Sequence, residues 1–190
     1  NNTIAMGTSV TWNASAGNLS LNGAVANGGF LLTIDGAFST TLSGNLSGAG
    51  GLTKVGSGAV ILNASNSYSG ATIVNQGILQ TTHSNALRGS TSLTIQNGAS
   101  VLNSATDPSG GGFFYTLASN RSAIVTGAGS LWSNLGDLYV GYNRSSNSMM
   151  ITVRADALVT LTAFWVAPPP QSAIVCWLLG VGRFGPIAAI

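Results

Sequence analysis

Charge is what this chain has least of. Only 5% of its 190 residues are charged, against roughly 25% in an ordinary globular domain. Glutamate is absent altogether, and the four acidic residues are Asp35, Asp107, Asp137 and Asp156. Glutamate favours helices and is used sparingly in strands, so its absence points towards β structure. Cys176 is the single cysteine, which excludes an intrachain disulfide. His83 is the single histidine. It sits in the polar stretch Thr81–Ser90 with no second histidine or cysteine nearby, so it reads as a loop residue rather than a metal ligand.

These scarcities exclude several function classes. The basic residues Lys54, Arg88, Arg121, Arg144, Arg154 and Arg183 are scattered singly, and the net charge is +2. A nucleic-acid binder gathers its basic residues into a patch or run, so nucleic acid is not an expected partner. Asn1–Val10 has neither the basic segment nor the apolar core of a signal peptide, and the chain reads as an internal piece of a longer protein. Val175–Val181 is apolar but too short to span a bilayer. Glycoside hydrolysis normally wants a carboxyl pair at a defined separation, and the four aspartates are far apart in sequence. Asp35 lies in an Asp-Gly turn and Asp137 in a Gly-Asp turn, where local hydrogen bonding explains them. The glycine stretches Gly48–Gly51 and Gly56–Gly58 lack the Lys-Ser/Thr of a phosphate loop. No calcium-binding nonapeptide is present. No catalytic residue, cofactor or metal site is therefore expected.

What is abundant is punctuation. There are 26 glycines, and 45% of the residues are hydrophobic. Serine, threonine and asparagine take the polar positions that charges would otherwise fill. The chain is organised around Gly50–Gln80, in which the β-type runs Leu52–Lys54, Val60–Leu62, Ala71–Val74 and Ile78–Gln80 alternate with turn-forming linkers. Runs this short cannot bury an apolar face alone; they need similar neighbours stacked above and below, as in a solenoid. The same spacing predicts strands at Ser9–Trp12, Leu19–Leu21, Phe30–Ile34 and Phe38–Leu42. It predicts others at Ser92–Gln96, Ser100–Leu102, Phe113–Leu117, Ala123–Thr126, Ser130–Ser133, Leu138–Val140, Ser148–Val153 and Leu158–Leu161. Ser43–Gly50 reads as a corner between strands. The expectation is parallel strands in coils of roughly twenty residues, the low end of solenoid repeat lengths.

Gly51-Leu52-Thr53-Lys54 followed by Gly56-Ser57-Gly58, then Tyr68-Ser69-Gly70-Ala71-Thr72, then Asn75-Gln76-Gly77-Ile78-Leu79, resembles the passenger-associated repeat of bacterial autotransporters. Ala59 and Ala71 stand where that pattern usually has Thr and Gly. The resemblance implies an all-β fold, a right-handed, elongated parallel β-helix belonging to an exported protein at the bacterial cell surface or outer membrane. It also implies a translocator domain elsewhere in the same polypeptide, and it brings no catalytic residues. On that basis the expected function is a non-catalytic stalk or adhesin segment, with host or environmental surface glycans or proteins as partners. The alternatives are a carbohydrate-active β-helix enzyme, whose acidic and basic residues would have to converge in one groove, and a purely structural spacer.

Ser122–Val140 forms a second kind of unit, and it too resembles repeats of large bacterial surface β-helix proteins. Its Trp132 and Tyr139, with Tyr142 just beyond, are the candidate contact residues, because exposed aromatics stack on sugars or grip proteins. The plainer alternative is that they supply packing area inside the solenoid.

The division expected is 1–161 as β-helix, with the repeat at about 50–80, and 162–190 as an atypical tail. Phe164–Ile190 holds four of the five prolines and the only cysteine, and it lacks Asn, Thr and Asp. Pro168-Pro169-Pro170 is incompatible with a regular ladder. Read one base earlier, codons for Val181–Ile190 can encode G-S-V-W-S-N-S-G-D, a near copy of Gly129–Asp137, GSLWSNLGD. The tail thus reads as a frameshift product, expected to pack poorly and to expose apolar surface.

Overall fold

The computed structural model describes residues 2–104 and 120–134, together with the backbone of strands Leu138–Val140, Asn147–Thr152, Leu158–Thr160, Phe164–Val166 and Ser172–Ile174. Among these residues there is no helix. Every strand pairing is parallel and joins one coil to the next, so the chain is a parallel β-solenoid.

Two ladders make up most of it. The larger sheet runs in the order Val10–Asn13, Leu32–Asp35, Leu52–Lys54, Thr72–Val74, Ser92–Ile95, Ser122–Thr126, Asn147–Thr152, Ser172–Ile174. The second contains Leu19–Leu21, Thr40–Leu42, Ala59–Leu62, Ile78–Thr81, Ser100–Asn103, Leu131–Asn134 and Leu158–Thr160. A small third sheet joins Ile4–Ala5, Val25–Ala26 and Leu46–Ser47. Leu138–Val140 pairs with Phe164–Val166.

Alternation explains the two large faces. In Leu32–Asp35 the residues Leu32 and Ile34 are buried while Thr33 and Asp35 are partly exposed. Parallel register repeats that choice coil after coil. Leu32, Leu52, Thr72, Leu93 and Ala123 form one inward column, and Ile34, Lys54, Val74, Ile95 and Val125 form another. On the second sheet Thr40, Val60, Leu79, Val101 and Trp132 line up inside. Burying one such aliphatic side chain stabilises by about 1.5–3 kcal/mol, and a column multiplies the effect without lengthening any strand.

The glycine-rich stretches are the corners between faces. Asp35-Gly36 turns the chain with Gly36 at φ 109°, a conformation open to glycine and strained for other residues. Gly56 lies directly on the backbone of Gly36, leaving no room for a Cβ. The coils are therefore as close at the corners as along the ladders. From Ser92 to Ser122 the coil is longer than in the first half, where Leu32 meets Leu52 and Leu52 meets Thr72.

The third sheet was not expected: Ser43–Gly50 contains the short strand Leu46–Ser47, not a corner alone. Two-residue strands contain no alternation to detect. In the tail, Phe164–Val166 and Ser172–Ile174 pair with preceding strands on either side of the triple proline. Parallel pairing uses backbone groups, which any sequence without proline at those positions can supply. The remainder of 162–190, and the predicted strand Phe113–Leu117, lie outside the described residues.

Candidate functional site: a buried polar insert in the central coil

Polar side chains are concentrated inside the coil that begins at Leu52. The alternation Leu52 in, Thr53 out, Lys54 in places a lysine in an otherwise apolar column, 2% exposed. Its Nζ donates to Gly56 O at the adjacent corner. Burial pushes its pKa down from the ordinary lysine range, and Asp35 of the preceding coil opposes that shift only partly. Asp35 itself accepts from Gly36 N–H through Oδ1 at 2.7 Å.

Tyr68 follows the turn-rich linker and is fully buried. Its hydroxyl lies 2.6 Å from Thr72 Oγ1, which lies 2.8 Å from Ser90 Oγ of the next coil. Ser90 Oγ also approaches Gly70 O at 3.0 Å and Ser92 O at 2.9 Å. Burial raises the Tyr68 pKa to about 12, offset in part by the Thr72 and Ser90 hydroxyls and by Arg121. Arg121 is buried and donates to Leu87 O at 3.4 Å and to Arg88 O. Burial lowers its pKa first, and the neighbouring Arg88 lowers it further.

Asparagine completes the insert. Asn66, 3% exposed, accepts from Leu46 N–H at 2.8 Å and donates to Ala86 O at 2.9 Å. Further along, Thr81 Oγ1 donates to Asn103 Oδ1 at 3.1 Å inside the second sheet. At the wetter corners Thr82 Oγ1 donates to Asn63 Oδ1 at 2.7 Å and Gln96 Nε2 to Asn75 Oδ1 at 2.6 Å. Amides and hydroxyls thus link successive coils in place of ion pairs.

The aromatic contact residues are placed differently from the surface reading. Trp132 is 1% exposed and stacks in register on Val101. The pleat of Leu131–Asn134 turns it inward, as the packing alternative expects. Tyr139 lies in the strand Leu138–Val140, whose backbone alone is described, and Tyr142 lies outside the described residues. Among the described residues the large apolar side chains that do reach solvent are Ile4, Phe30, Leu31, Phe38 and Ile78, and sequence reasoning singled out none of them as contacts. His83 Nδ1 accepts from Asn85 N–H at 3.0 Å, so it shapes its own loop. Among the described residues no group of three His, Cys, Asp or Glu could hold a metal ion. Among them, too, no helix is long and apolar enough to cross a membrane.

The buried polar side chains Lys54, Asn66, Tyr68 and Thr72 all fall within one stretch that matches a family model. Residues 52–80 match the model of the passenger-associated-transport-repeat. No curated protein and no solved structure matches the chain. The chain is a β-solenoid that carries an autotransporter passenger repeat. In the passenger-associated-transport-repeat, Lys54 serves a corner carbonyl, the Tyr68 hydroxyl meets Thr72, and Gly56 and Gly70 permit close stacking on the coil before.

Proposed function

We propose that this chain is a non-catalytic stalk segment of an autotransporter-type surface protein, exported with a translocator domain of the same polypeptide and used in adhesion. The observation that supports this reading is the direction of the repeat's polar residues. Lys54, Asn66 and Thr72 are turned inward and bonded to the solenoid itself. Groups that act on a substrate have to reach solvent; these are committed to holding coils together. The stacked coils give a long scaffold whose surface is free to vary, and folding can propagate from any formed end.

Two measurements test the proposal. Bacteria displaying the chain on a translocator should lose it to protease added outside the cell, and the released chain should bind immobilised host or environmental glycans. Retention inside protease-treated intact cells would sink the surface assignment. Surface display without binding to any glycan or host protein would leave a spacer in place of an adhesin. Cleavage of pectin, alginate or chitin by the purified chain, abolished by Asp137→Ala or Asp156→Ala, would replace the proposal with an enzyme.

A further inference from the structure

Parallel pairing on the third side stops at Leu46–Ser47. In the earlier coils Ile4 N–H donates to Ala24 O and Val25 N–H to Asn45 O, main chain to main chain. At the next step no strand continues the ladder, and the main-chain bonds that remain, such as Ser69 N–H to Gly48 O at 2.8 Å, leave Leu46 N–H without a main-chain partner. Leu46 O is met by Ser67 and Tyr68 N–H, but Leu46 N–H donates to the Asn66 side chain, at 2.8 Å. The other end of the same carboxamide donates to Ala86 O, one coil further on, at 2.9 Å. Asn66 N–H meets Asn85 O at 3.2 Å. Leu46, Asn66 and Ala86 are all buried, so water does not stand in for any of these partners.

We propose that Asn66 is the coupling residue that joins the coils before and after the passenger-associated-transport-repeat into one cooperative unit. Solenoid stability is a sum of coil terms and nearest-neighbour interface terms. The interface weakens where one of three ladders ends, and a side chain that accepts on one side and donates on the other restores the connection. A carboxamide carries an acceptor oxygen and a donor nitrogen on separate atoms, so it can accept on one side and donate on the other; an ionised carboxylate accepts alone. Thr72 to Ser90 and Thr81 to Asn103 add links in the forward direction, whereas Asn66 reaches both ways. The inference concerns folding of the solenoid and stands whether or not the surface is adhesive.

Native-state hydrogen exchange of the full chain in rising urea tests it. In the native protein the slow amides of Leu32–Asp35 and of Ser92–Ile95 should merge into one opening transition. Separate transitions there would overturn the proposal without any variant. In Asn66→Leu the two groups should part, their exchange rates diverging by about tenfold or more, the order expected when two buried hydrogen bonds are lost. Equal acceleration on both sides, or none, would overturn it. Asn66→Asp keeps the acceptor and loses the donor. It should protect the Leu46 amide again while leaving the two groups apart, and a single merged transition in this variant would count against the proposal. If Asn66→Leu does not fold, the native protein and Asn66→Asp decide.

Discussion

Tyr68 Oη and Thr72 Oγ1 meet at 2.6 Å in the interior of the solenoid, four residues apart in the chain. That contact gives the Tyr-x-Gly-x-Thr spacing a physical reason. Tyr68 enters the core from the linker, Gly70 lets the chain pass close over Gly50, and Thr72 is the first inward residue of the next strand. A phenol buried without a partner would be costly. Here its hydroxyl is the head of a chain that continues through Thr72 to Ser90 of the following coil.

This buried phenol makes the fold sensitive to alkali. In an unfolded chain Tyr68 ionises near its ordinary value of 10.0, whereas in the fold it holds its proton to about 12. Between those values the folded state binds more protons, so stability falls as pH rises. The urea midpoint should decline from about pH 10 upward, and Tyr68→Phe should show a shallower decline. Parallel declines in the two proteins would mean that Tyr68 is not the group responsible.

Lys54 should act in the opposite sense. Its pKa is depressed below the ordinary 10.5, so as pH approaches that value the unfolded chain holds a proton that the folded chain has released. Stability then rises with pH in the window just below 10.5. Lys54→Met fills similar volume and removes this slope. Burial outweighs the attraction of Asp35 at this ammonium, and replacing a buried charge by an apolar side chain of similar volume is often close to neutral. The variant should therefore lose no more than about 1 kcal/mol at neutral pH. A loss above about 3 kcal/mol would show the ammonium to be a net stabiliser.

The two large faces could be read from residues alone because alternation carries the information. Leu52–Lys54, Leu19–Leu21 and Leu138–Val140 have the bounds the pattern predicts. Where alternation is absent the reading stopped: Val25–Ala26 and Leu46–Ser47 have two residues each. Lys54 was taken as one more scattered charge, although its place two residues after Leu52 already put it on the inward side. Asn66 gave no such signal. It lies in a linker rich in Ser and Asn, and what distinguishes it from Asn63 is where the third ladder ends, which is a property of the stack. Trp132 has two readings in the sequence, contact or packing, and its register on Val101 and its burial are what the packing reading expects.

Trp132 therefore predicts a stability effect. Trp132→Ala removes the largest fully buried side chain among the described residues and should cost about 3–5 kcal/mol. Trp132→Phe should cost much less. Any glycan binding by the folded chain should be the same in wild type and Trp132→Phe. Selective loss of binding in Trp132→Phe, with an unchanged unfolding midpoint, would return this residue to a contact role.

The last prediction concerns the tail, and it is read in DNA. Phe164–Val166 and Ser172–Ile174 pair with the ladders, but pairing by main chain does not require side chains suited to a core. The composition of Phe164–Ile190 argues that these side chains were not selected for one: it holds the triple proline and the lone cysteine and lacks Asn, Thr and Asp. Codons for Val181–Ile190 permit G-S-V-W-S-N-S-G-D in the frame one base earlier. Two of the three bases in each shifted codon are constrained by the observed residues, so the likeness to Gly129–Asp137 is not a product of free choice. Loss of one base near Leu161, or gain of two, would produce this outcome. The coding sequence should accordingly show a V-T-G…W…G-D unit in the shifted frame over its last codons. Restoring that frame in an expressed chain should raise the urea midpoint, because inward positions would again receive residues like Val125 and Trp132. A coding sequence whose shifted frame lacks the unit, or a restored chain no more stable than the present one, would make Phe164–Ile190 a native segment whose composition needs another cause.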